Sequence, residues 1–395
     1  MTVSVWQADD HQLVRETEFL VVGGGLVGCA AAWFASQAGR QVTITEMRDL
    51  ALGASGRNAG FMITGLDAYY HHAIERYGAE ATRELYALSQ RTHAIWHEVI
   101  ARHPHDVRFE RCGSMLLAES EAEADDLRLA YAAMRADNLS PVFHEGDPLG
   151  RGYFGGIEQP QDGSVQPVEL TRAIFSDSGA ELIDNNELYR IEQQADDHVL
   201  VYTRKFIFRA QHVILCTNAY SPLIDPYFVG KIIPTRAQVL ATEPLDKPAI
   251  ATCGYSDYGF MYYRMTFDGR LLIGGGRKQN KLLENDTTED RTNDAVQGVL
   301  DNYLRTWFPD VTAPVSRRWS GIMGFTPDGL PIVGTLPEKP RVGFAVGFNG
   351  HGLAMGAGTA EKAVQYLLNG ADVGALHVQR LEKLTEAPET KTLSV

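Results

Sequence analysis

A group of glycines near the start of the sequence has the residue types that could contact a nucleotide phosphate. The glycines of residues 23–28 follow an apolar run at residues 19–22. They open an alanine-rich stretch, residues 26–38, that we predict to be a helix. Glycines permit a tight turn and a close backbone approach to a pyrophosphate, which the amides at a helix start can stabilise. The spacing therefore predicts a strand, a phosphate-binding turn and a helix.

An acidic residue follows at the separation of a ribose contact. Glu46 closes a second apolar run, residues 41–45, eighteen residues after Gly28. In adenine-dinucleotide sites a carboxylate near this separation accepts hydrogen bonds from the ribose hydroxyls. A glycine motif alone is common. The strand, helix and acid in register favour an adenine dinucleotide over a glycine-rich turn.

A second glycine-rich turn lies near the other end of the chain. Residues 347–352 contain three glycines between an apolar run, residues 342–346, and a predicted helix over residues 353–368. Between the two turns, period-two alternation predicts antiparallel strands, which are out of place among nicotinamide-binding β–α–β units. We therefore expect a long, permanently bound dinucleotide such as FAD.

The composition limits the partners and the location of the protein. The 395 residues are 44% hydrophobic with a formal net charge of -14, which argues against a nucleic-acid or anionic-membrane partner. Residues 1–17 resemble neither a signal peptide nor a membrane span. The four cysteines are far apart without a CxxC pair, which favours reduced thiols over a disulfide framework or a zinc site. We expect a cytoplasmic protein, and nothing in the sequence indicates its oligomeric state.

The order of these patterns predicts a mixed α/β (α+β) fold. In it, a Rossmann-like FAD-binding domain is interleaved with an antiparallel-sheet substrate domain. The expected boundaries are residues 18–80, 150–220 and 325–372 for the first domain and residues 81–149 and 221–324 for the second. Residues 1–17 are expected to form an extension, which Trp6 could anchor, and residues 373–395 a polar tail.

Several local predictions concern the segments between the two turns. Helical spacing over residues 67–100 predicts one long helix or a broken pair. Residues 140–167 are rich in turn-forming residues and are expected to be a long loop. Further helices are expected over residues 119–136, 168–178 and 290–308, strands over 107–109 and 114–118, and a hairpin over 260–276.

Four histidines in the first of these helical segments invite a metal-binding interpretation. They are His71, His72, His93 and His97, and no tight ligand cluster with acidic partners accompanies them in the sequence. We expect them on solvated helix faces, and we expect no metal site.

Four segments together resemble one family of redox enzymes. They are residues 23–28 with Glu46, residues 53–60, residues 319–321 with 326–334, and residues 347–352. In this order they are similar to the FAD-dependent amine and amino-acid oxidases related to D-amino-acid oxidase, glycine oxidase and sarcosine oxidase. The extension with Trp6 and the sequence of residues 55–58 look most similar to the gamma-glutamylputrescine oxidase branch. The resemblance covers residues 18–370.

The resemblance implies a set of cofactor contacts. Glu46 would bind the ribose, Arg57 would neutralise phosphate charge, and Leu188 would contact the adenine through its backbone. Gly334 and the second turn would lie beside the flavin pyrimidine, where helix-start amides stabilise the reduced ring. The residues assigned to the cofactor are Gly23, Gly25, Leu26, Val27, Gly28, Glu46, Met47, Arg48, Ala54, Ser55, Arg57, Asn58, Ala59, Leu188, Thr217, Asn218, Gly334, Gly347, Asn349, Gly350, His351, Gly352 and Leu353.

Departures from the family pattern carry information of their own. Relatives that attach FAD covalently use a cysteine at the position of Gly321 or a histidine at that of Arg57, so we expect non-covalent FAD. Relatives that oxidise glycine or sarcosine hold the substrate carboxylate with basic residues at the positions of Met323, Gly350 and Ala354, which weighs against those substrates. Leu272 replaces a lysine that assists the reaction with oxygen in sarcosine oxidase, which leaves the electron acceptor open.

The expected substrate side is aromatic. Tyr258, Phe260, Tyr262 and Tyr263 could form a wall for an amine, or could alternate between the core and solvent. Arg264 could bind a remote carboxylate or a surface acid. His351 could be a general base, a hydrogen-bond partner of the flavin or a turn residue, and we favour the second role.

The resemblance implies oxidation of a small primary or secondary amine, or an amino acid, to an imine. Hydride would pass to the flavin, and oxygen would accept the electrons to give hydrogen peroxide. Tyr262, Arg264 and His351 are the candidate catalytic residues. The alternatives are a dehydrogenase of an amine or hydroxy acid with another electron acceptor, and a flavin-binding protein without turnover.

Overall fold

The computed structural model describes residues 13–385, so the prediction for Trp6 falls outside the described residues. The strands, in chain order, are β1 (Leu13–Val22), β2 (Val42–Thr45), β3 (Phe61–Met62), β4 (Phe109–Glu110), β5 (Ser114–Leu117), β6 (Val142–Glu145), β7 (Gly155–Gln159), β8 (Gly163–Val165), β9 (Glu181–Ile183), β10 (Leu188–Gln193), β11 (Val199–Thr203), β12 (Phe206–Leu215), β13 (Ile233–Pro244), β14 (Cys253–Ser256), β15 (Met261–Met265), β16 (Arg270–Gly275), β17 (Val315–Phe325), β18 (Ile332–Leu336) and β19 (Lys339–Val346). The helices are α1 (Leu26–Gln37), α2 (Tyr70–Tyr77), α3 (Ala79–Arg102), α4 (Glu121–Ala136), α5 (Pro167–Ser178), α6 (Ser221–Ile224), α7 (Lys281–Glu284), α8 (Asp294–Trp307), α9 (Gly352–Asn369) and α10 (Gln379–Thr385). None of the helices within residues 13–385 is long and apolar enough to span a bilayer.

The first large sheet carries the first glycine turn. β1 lies between β2 and β12, all three strands run parallel, and β9 extends the parallel group beyond β2. The last four residues of β1 are buried and apolar, as expected of a strand covered on both faces. The long β12 pairs with β11 over its first half and with β19 over its second. The C-terminal strand β19 is therefore separated from β1 by a single strand.

Helices α1, α3, α5 and α9 pack together beside this sheet. Helix α1 approaches α9 so closely that a Cβ on Gly356 would lie 3.0 Å from a methyl group of Val27. Small side chains allow this approach, since the buried residues of α1 include four alanines. Because α1 follows the first glycine turn and α9 follows the second, their contact brings the two turns together.

The second large sheet carries the aromatic segment. Its order is β17-β13-β16-β15-β14-β5-β7-β6, and every neighbouring pair is antiparallel except β14 with β5. Alternation along β15 separates its two tyrosines: Tyr263 is fully buried among Tyr153, Tyr303 and Phe308, whereas Tyr262 faces the other side. A small third sheet has the order β3-β8-β4.

Much of the predicted organisation is confirmed, including the mixed α/β fold. The segment over residues 67–100 is a broken pair of helices, α2 and α3. β10, β11 and the first half of β12 are antiparallel strands between the two turns, as the period-two alternation predicted. Helix α4 begins after Ser120, whose hydroxyl accepts a hydrogen bond from the amide of Glu123. Helix α5 has Pro167 in its first turn, and β15 and β16 form the predicted hairpin.

Three local predictions are wrong. β1 begins at Leu13 rather than at Phe19, because its first residues pair with β12 despite their polar sequence. The segment 140–167 is not a long loop, since β6, β7 and β8 all lie within it. Residues 373–385 are not a polar tail, because Leu376, Val378 and Leu381 are buried against the first sheet. In each case a distant partner strand or core decides the structure.

The histidines of α2 and α3 are also placed differently from the prediction. His93 is buried, and His71, His72 and His97 are half-buried rather than solvated. The ligand-type atoms of His71, His72 and Asp126 lie within 4.8 Å of one another. The acidic neighbour was missed because Asp126 comes from α4, about fifty residues away in the sequence.

Candidate active site

A cavity of about 560 Å³ lies where the two glycine turns meet the second sheet. Residues from near both ends of the sequence form its wall. A ligand in the cavity would therefore contact segments that only the folded chain brings together. The predicted site residues that line it are Gly23, Gly25, Leu26, Val27, Glu46, Met47, Arg48, Ala54, Ser55, Arg57, Asn58, Ala59, Leu188, Thr217, Asn218, Tyr262, Asn349, Gly350, His351, Gly352 and Leu353.

The first glycine turn leaves no room for side chains. Gly23 has a φ of 111°, and a Cβ there would lie 2.8 Å from the carbonyl oxygen of Cys216. A Cβ on Gly25 would lie 2.9 Å from the hydroxyl of Ser55. That hydroxyl accepts a hydrogen bond of 2.8 Å from the amide of Leu26, at the start of α1. The turn therefore presents bare backbone to the cavity, as a phosphate contact requires.

Glu46 is fixed at the edge of this turn by its own hydrogen bonds. Its Oε2 accepts a bond of 2.7 Å from the amide of Gly24, and its Oε1 one of 2.9 Å from the amide of Arg48. A carboxylate has about four acceptor positions, so two bonds leave it able to accept two hydroxyl groups. The side chain is therefore both oriented and available for a ribose.

Arg57 lines the cavity, but its charge is already paired. Its guanidinium forms a salt bridge with Asp290 at 2.8 Å and donates to the carbonyl oxygens of Ser320 and Leu52. The indole of Trp319 donates to the carbonyl of Arg57 itself. This arrangement differs from the predicted role in neutralising phosphate, because a carboxylate from a distant segment compensates the cation. Arg57 ties the segment after the first turn to β17.

The second glycine turn ends in a helix start that faces the cavity. Asn349, at a φ of 51°, accepts a hydrogen bond from the amide of Thr326 and donates one to the carbonyl of Gly347. Helix α9 then begins at Gly352 without a side-chain cap. The first amides of a helix have no partner within it, so Gly352 and Leu353 present free donors and the positive end of the helix dipole.

Four predicted site residues do not line the cavity. A Cβ on Gly28 would lie 1.9 Å from the carbonyl oxygen of Gly23, so this glycine serves the packing of helix on turn. Gly334 contacts the side chains of Val378 and Phe344 in the core, and not the cavity. The remaining two are Gly347, which packs against Thr326 and Ile232, and Arg264, which is buried behind the cavity wall.

The aromatic residues predicted for the substrate side lie in different parts of the structure. Only Tyr262 lines the cavity, and it does so together with Tyr255 from β14. Burial raises the pKa of Tyr262 to about 12, so its hydroxyl is a neutral hydrogen-bonding group. Tyr258 is exposed and donates to Asp126 outside the cavity. The alternation of strand side chains between faces therefore decided which aromatic residues could meet a ligand.

Asp67 is an acidic residue of the cavity wall that the sequence analysis missed. Its Oδ1 lies 3.6 Å from Nδ1 of His351, and the same nitrogen lies 3.2 Å from the carbonyl oxygen of Asn349. Burial in the cavity raises the pKa of the Asp67 carboxyl, and the positive charges of His351 and Arg277 partly oppose this shift. Asp67 and His351 thus form a polar pair beside the start of α9.

Arg277 is a second missed residue, and its guanidinium has no acidic partner at contact distance. It follows the strand β16 and lies over the rings of Phe325 and Phe260, at 4.6 and 5.1 Å from their centres. Within residues 13–385 its side chain has no ion pair or hydrogen bond. Burial lowers its pKa, and the charge of Asp67 partly opposes this shift. The two aromatic rings hold a cation that faces the cavity.

The part of the cavity wall formed by Met323 and Gly350 is uncharged. Met323 and Gly350 both line the cavity, and a Cβ on Gly350 would lie 3.3 Å from the sulfur of Met323. Relatives that oxidise glycine carry basic residues at these two positions. The cation near this part of the wall is Arg277, which follows β16.

These features together fit an FAD molecule. A bare glycine turn at a helix start suits a pyrophosphate, and an oriented carboxylate suits a ribose. A second helix start with free amides suits the electron-rich edge of a flavin. Glu46, Leu26 and Leu353 are representative of the residues that would hold the three parts.

Comparison with known proteins agrees with this fit. Residues 18–366 match the family described as FAD dependent oxidoreductase. The Haemophilus influenzae protein described as probable oxidoreductase OrdL is 26% identical over 384 residues, covering 91% of this chain and 84% of its own length. Gamma-glutamylputrescine oxidoreductase of Escherichia coli is 24% identical, with 84% and 79% covered, and glycine oxidase of Bacillus subtilis is 23% identical, with 90% and 94% covered.

Solved structures share the fold. L-proline dehydrogenase from P. horikoshii superposes with a TM-score of 0.80 at 22% identity, covering 94% of this chain and 99% of that one. Glycine oxidase from Geobacillus kaustophilus gives a TM-score of 0.77 at 21% identity, with 92% and 99% covered. At these identities the likeness concerns the architecture alone.

Proposed function

The chain belongs to the family of FAD-dependent oxidoreductases, and we propose that it oxidises a small amine or amino acid to an imine with non-covalently bound FAD. The observation that carries this proposal is that Asp67, an acid suited to an ammonium group, opens into the same cavity as the two glycine turns. Relatives whose names refer to gamma-glutamylputrescine and glycine support an amine substrate.

In this proposal the residues of the chain bind and orient the cofactor and the substrate. Glu46 and the two helix starts would fix the cofactor, which supplies the acceptor for the two electrons removed from the substrate. Asp67 would accept a hydrogen bond from the substrate ammonium. The hydroxyls of Tyr255 and Tyr262 would bound the space around it, since neither has a hydrogen-bond partner within the described residues.

His351 is suited to hold or accept a proton. Its Nδ1 lies 3.2 Å from the carbonyl of Asn349, an acceptor, so Nδ1 carries the hydrogen in that bond. In the neutral ring Nε2 is then an acceptor. We assign His351 to a hydrogen-bonding role beside the flavin, with Asp67 orienting the ring.

Arg277 supports a substrate that carries an anionic group in addition to its amine. A half-buried guanidinium held by Phe260 and Phe325 without a carboxylate partner is well placed to receive one. We therefore propose a substrate with a carboxylate, bound at Arg277 rather than at the positions of Met323 and Gly350.

Anaerobic reduction of the bound flavin tests both parts of the proposal. The panel pairs 4-aminobutanoate with pentylamine and putrescine, and includes N-methyl amino acids and D-amino acids. Bleaching of the flavin by at least one amine is expected, and bleaching by none would contradict the proposed function in favour of a flavin-binding protein without turnover.

The role of Arg277 needs a matched variant. Arg277→Met is expected to weaken binding of 4-aminobutanoate by about 10- to 100-fold, the value of one charge-assisted contact, and to leave pentylamine unaffected. Lys278→Met is the control, because Lys278 pairs with Asp257 outside the cavity. Equal losses for both amines would contradict the carboxylate site while leaving amine oxidation intact.

The electron acceptor, the cofactor linkage and the location belong to the same proposal. We propose oxygen as acceptor, with hydrogen peroxide as product, over a dehydrogenase with another acceptor. Rapid reoxidation of the reduced flavin by air is expected, and slow reoxidation would favour the dehydrogenase. Release of FAD by acid denaturation checks the non-covalent linkage, and cell fractionation checks a cytoplasmic location.

A further inference from the structure

Two cysteines distant in sequence lie in contact at the junction between β14 and β5. Cys112 precedes β5, Cys253 begins β14, and their sulfur atoms are 3.7 Å apart. The two strands are parallel neighbours, with Cys253 opposite Ser114. Cys112 is half-buried and Cys253 is buried. The sulfurs must approach by about 1.7 Å to reach the disulfide bond length of about 2.05 Å.

A buried cation without a carboxylate partner lies beside these thiols. Arg264 is only 4% exposed, and its guanidinium donates to the carbonyl oxygens of Gly60, Val165 and Met265. No acid within residues 13–385 forms an ion pair with it. Buried charges are ordinarily compensated, so a thiolate nearby would be stabilised.

The two thiols are expected to differ in protonation. The hydrogen bond from Cys253 lowers the pKa of Cys112 to about 6, against the effect of burial, and the Ser164 hydroxyl and Arg264 add to the lowering. The same bond and burial raise the pKa of Cys253. The pair is therefore one thiolate and one thiol, which is the arrangement required for thiol oxidation.

We propose that Cys112 and Cys253 form a dithiol that hydrogen peroxide oxidises to a disulfide. The Cys112 thiolate attacks one oxygen of the peroxide, the O–O bond breaks, and the departing hydroxide takes a proton to become water. Cys112 is then a sulfenic acid. The Cys253 sulfur attacks it, the S–O bond breaks, and a second water leaves with the thiol proton. Two thiols and one peroxide thus give one disulfide and two waters.

The disulfide would lock the parallel junction of the second sheet. β14 and β5 join its two halves, and Cys253 lies two residues before Tyr255 of the cavity wall. A cross-link that closes a loop of this length restricts the unfolded chain strongly. We expect oxidation to raise the thermal midpoint by about 5 °C or more. Because the peroxide is added, this inference does not rest on the proposed function.

Mass spectrometry of the oxidised holoprotein tests the proposal. The protein is treated with hydrogen peroxide and then with N-ethylmaleimide. Wild type is expected to lose the mass of two hydrogen atoms and to yield a cross-linked peptide that contains Cys112 and Cys253. Reduction should reverse the change. Recovery of Cys112 and Cys253 as free, alkylated peptides after peroxide treatment would overturn the proposal.

Single substitutions assign the two roles. In Cys253→Ser, oxidation should stop at a sulfenic acid on Cys112, which dimedone traps. In Cys112→Ser, Cys253 should remain unmodified by peroxide. Cys29→Ser is the matched control, since Cys29 is buried elsewhere and its substitution should leave the cross-link unchanged. Trapping of dimedone on Cys253 in place of Cys112 would reverse the assignment and contradict the argument from Arg264.

Discussion

The carboxylate of Asp67 lies 3.6 Å from Nδ1 of His351, and this contact joins the segment after the first glycine turn to the start of the last long helix. The pair places a carboxylate and an imidazole on one face of the cavity. Asp67 lies between β3 and α2, and His351 lies directly before α9, so the contact links two segments far apart in the sequence.

Asp67→Asn should weaken the binding of a cationic amine by about 10- to 100-fold, because a charge-assisted hydrogen bond is lost. Burial raises the pKa of Asp67, so the wild-type carboxyl takes up a proton at a higher pH than an ordinary aspartate. Amine binding should therefore decline as the pH falls through that raised pKa, and the variant should lack this decline. Titration of the flavin spectrum with amine across pH measures both effects.

The control for this experiment is Asp126→Asn, which removes a carboxylate that contacts Tyr258 outside the cavity. Its amine affinity should match that of wild type at every pH. An acid-side decline that persists in Asp67→Asn would assign the titration to another group.

Gly28→Ala should abolish the retention of FAD. The added methyl carbon would lie 1.9 Å from the carbonyl oxygen of Gly23, so the phosphate-binding turn must move. We expect affinity to fall by at least about 100-fold, roughly 2.7 kcal/mol. Gly298→Ala is the matched control, because no atom lies within 4 Å of the added carbon on α8. Flavin content per protein after purification gives the comparison, and full flavin content in Gly28→Ala would refute the steric argument.

Asp162 should make stability depend on pH. Burial raises the pKa of this carboxyl to about 7, although Ser114 and Thr64 donate hydrogen bonds to it. The protonated form is therefore favoured in the folded state. Its stabilising contribution is complete below the unfolded pKa near 3.8 and is lost as the pH rises to about 7.

Over this window the free energy of unfolding of wild type should fall by up to about 1.4 kcal/mol per pH unit relative to Asp162→Asn. Other carboxyl groups titrate in both proteins and cancel in the difference. Thermal midpoints measured from pH 4 to 8 check this. A constant difference between the two proteins would show that Asp162 does not titrate in that range.

Breaking the ion pair between Arg236 and Glu284 should lower the free energy of unfolding strongly. Both side chains are buried, and two hydrogen bonds of 3.0 and 3.1 Å join them between β13 and α7. Arg236→Met would leave a buried carboxylate without its cation, which costs about 3–5 kcal/mol. Arg291→Met, at an exposed pair with Glu289, should cost less than about 1 kcal/mol. Chemical denaturation compares the two variants, and equal losses would contradict the argument from burial.

The sequence predicted the parts of the site that depend on local pattern. The first turn, α1 and Glu46 lie within one short segment, so their spacing alone determines their relative positions. Asp67 and Arg277 were missed because a distant contact gives each its place in the wall. A signal existed for Arg277, since it follows a glycine run at a strand end.

The position of Arg264 relative to the cavity could not be predicted from the sequence pattern of its strand. Alternation along β15 correctly places Arg264 on the same face as Tyr262, two residues earlier. The backbone carbonyls of Gly60 and Val165 cover this face at Arg264, whereas Tyr262 lines the cavity. The strand's own sequence contains no information about that cover, which comes from residues 60 and 165.

The cavity is shared between the turns that follow the first and last strands, and this has a consequence for biosynthesis. A ribosome releases the glycine turn of residues 23–28 long before it releases residues 347–354, so the emerging chain cannot enclose a nucleotide while translation continues. The clamp closes only when α9 docks on α1. Loading of the cofactor is therefore coupled to completion of the polypeptide, and premature termination anywhere upstream of α9 yields a chain that cannot retain it.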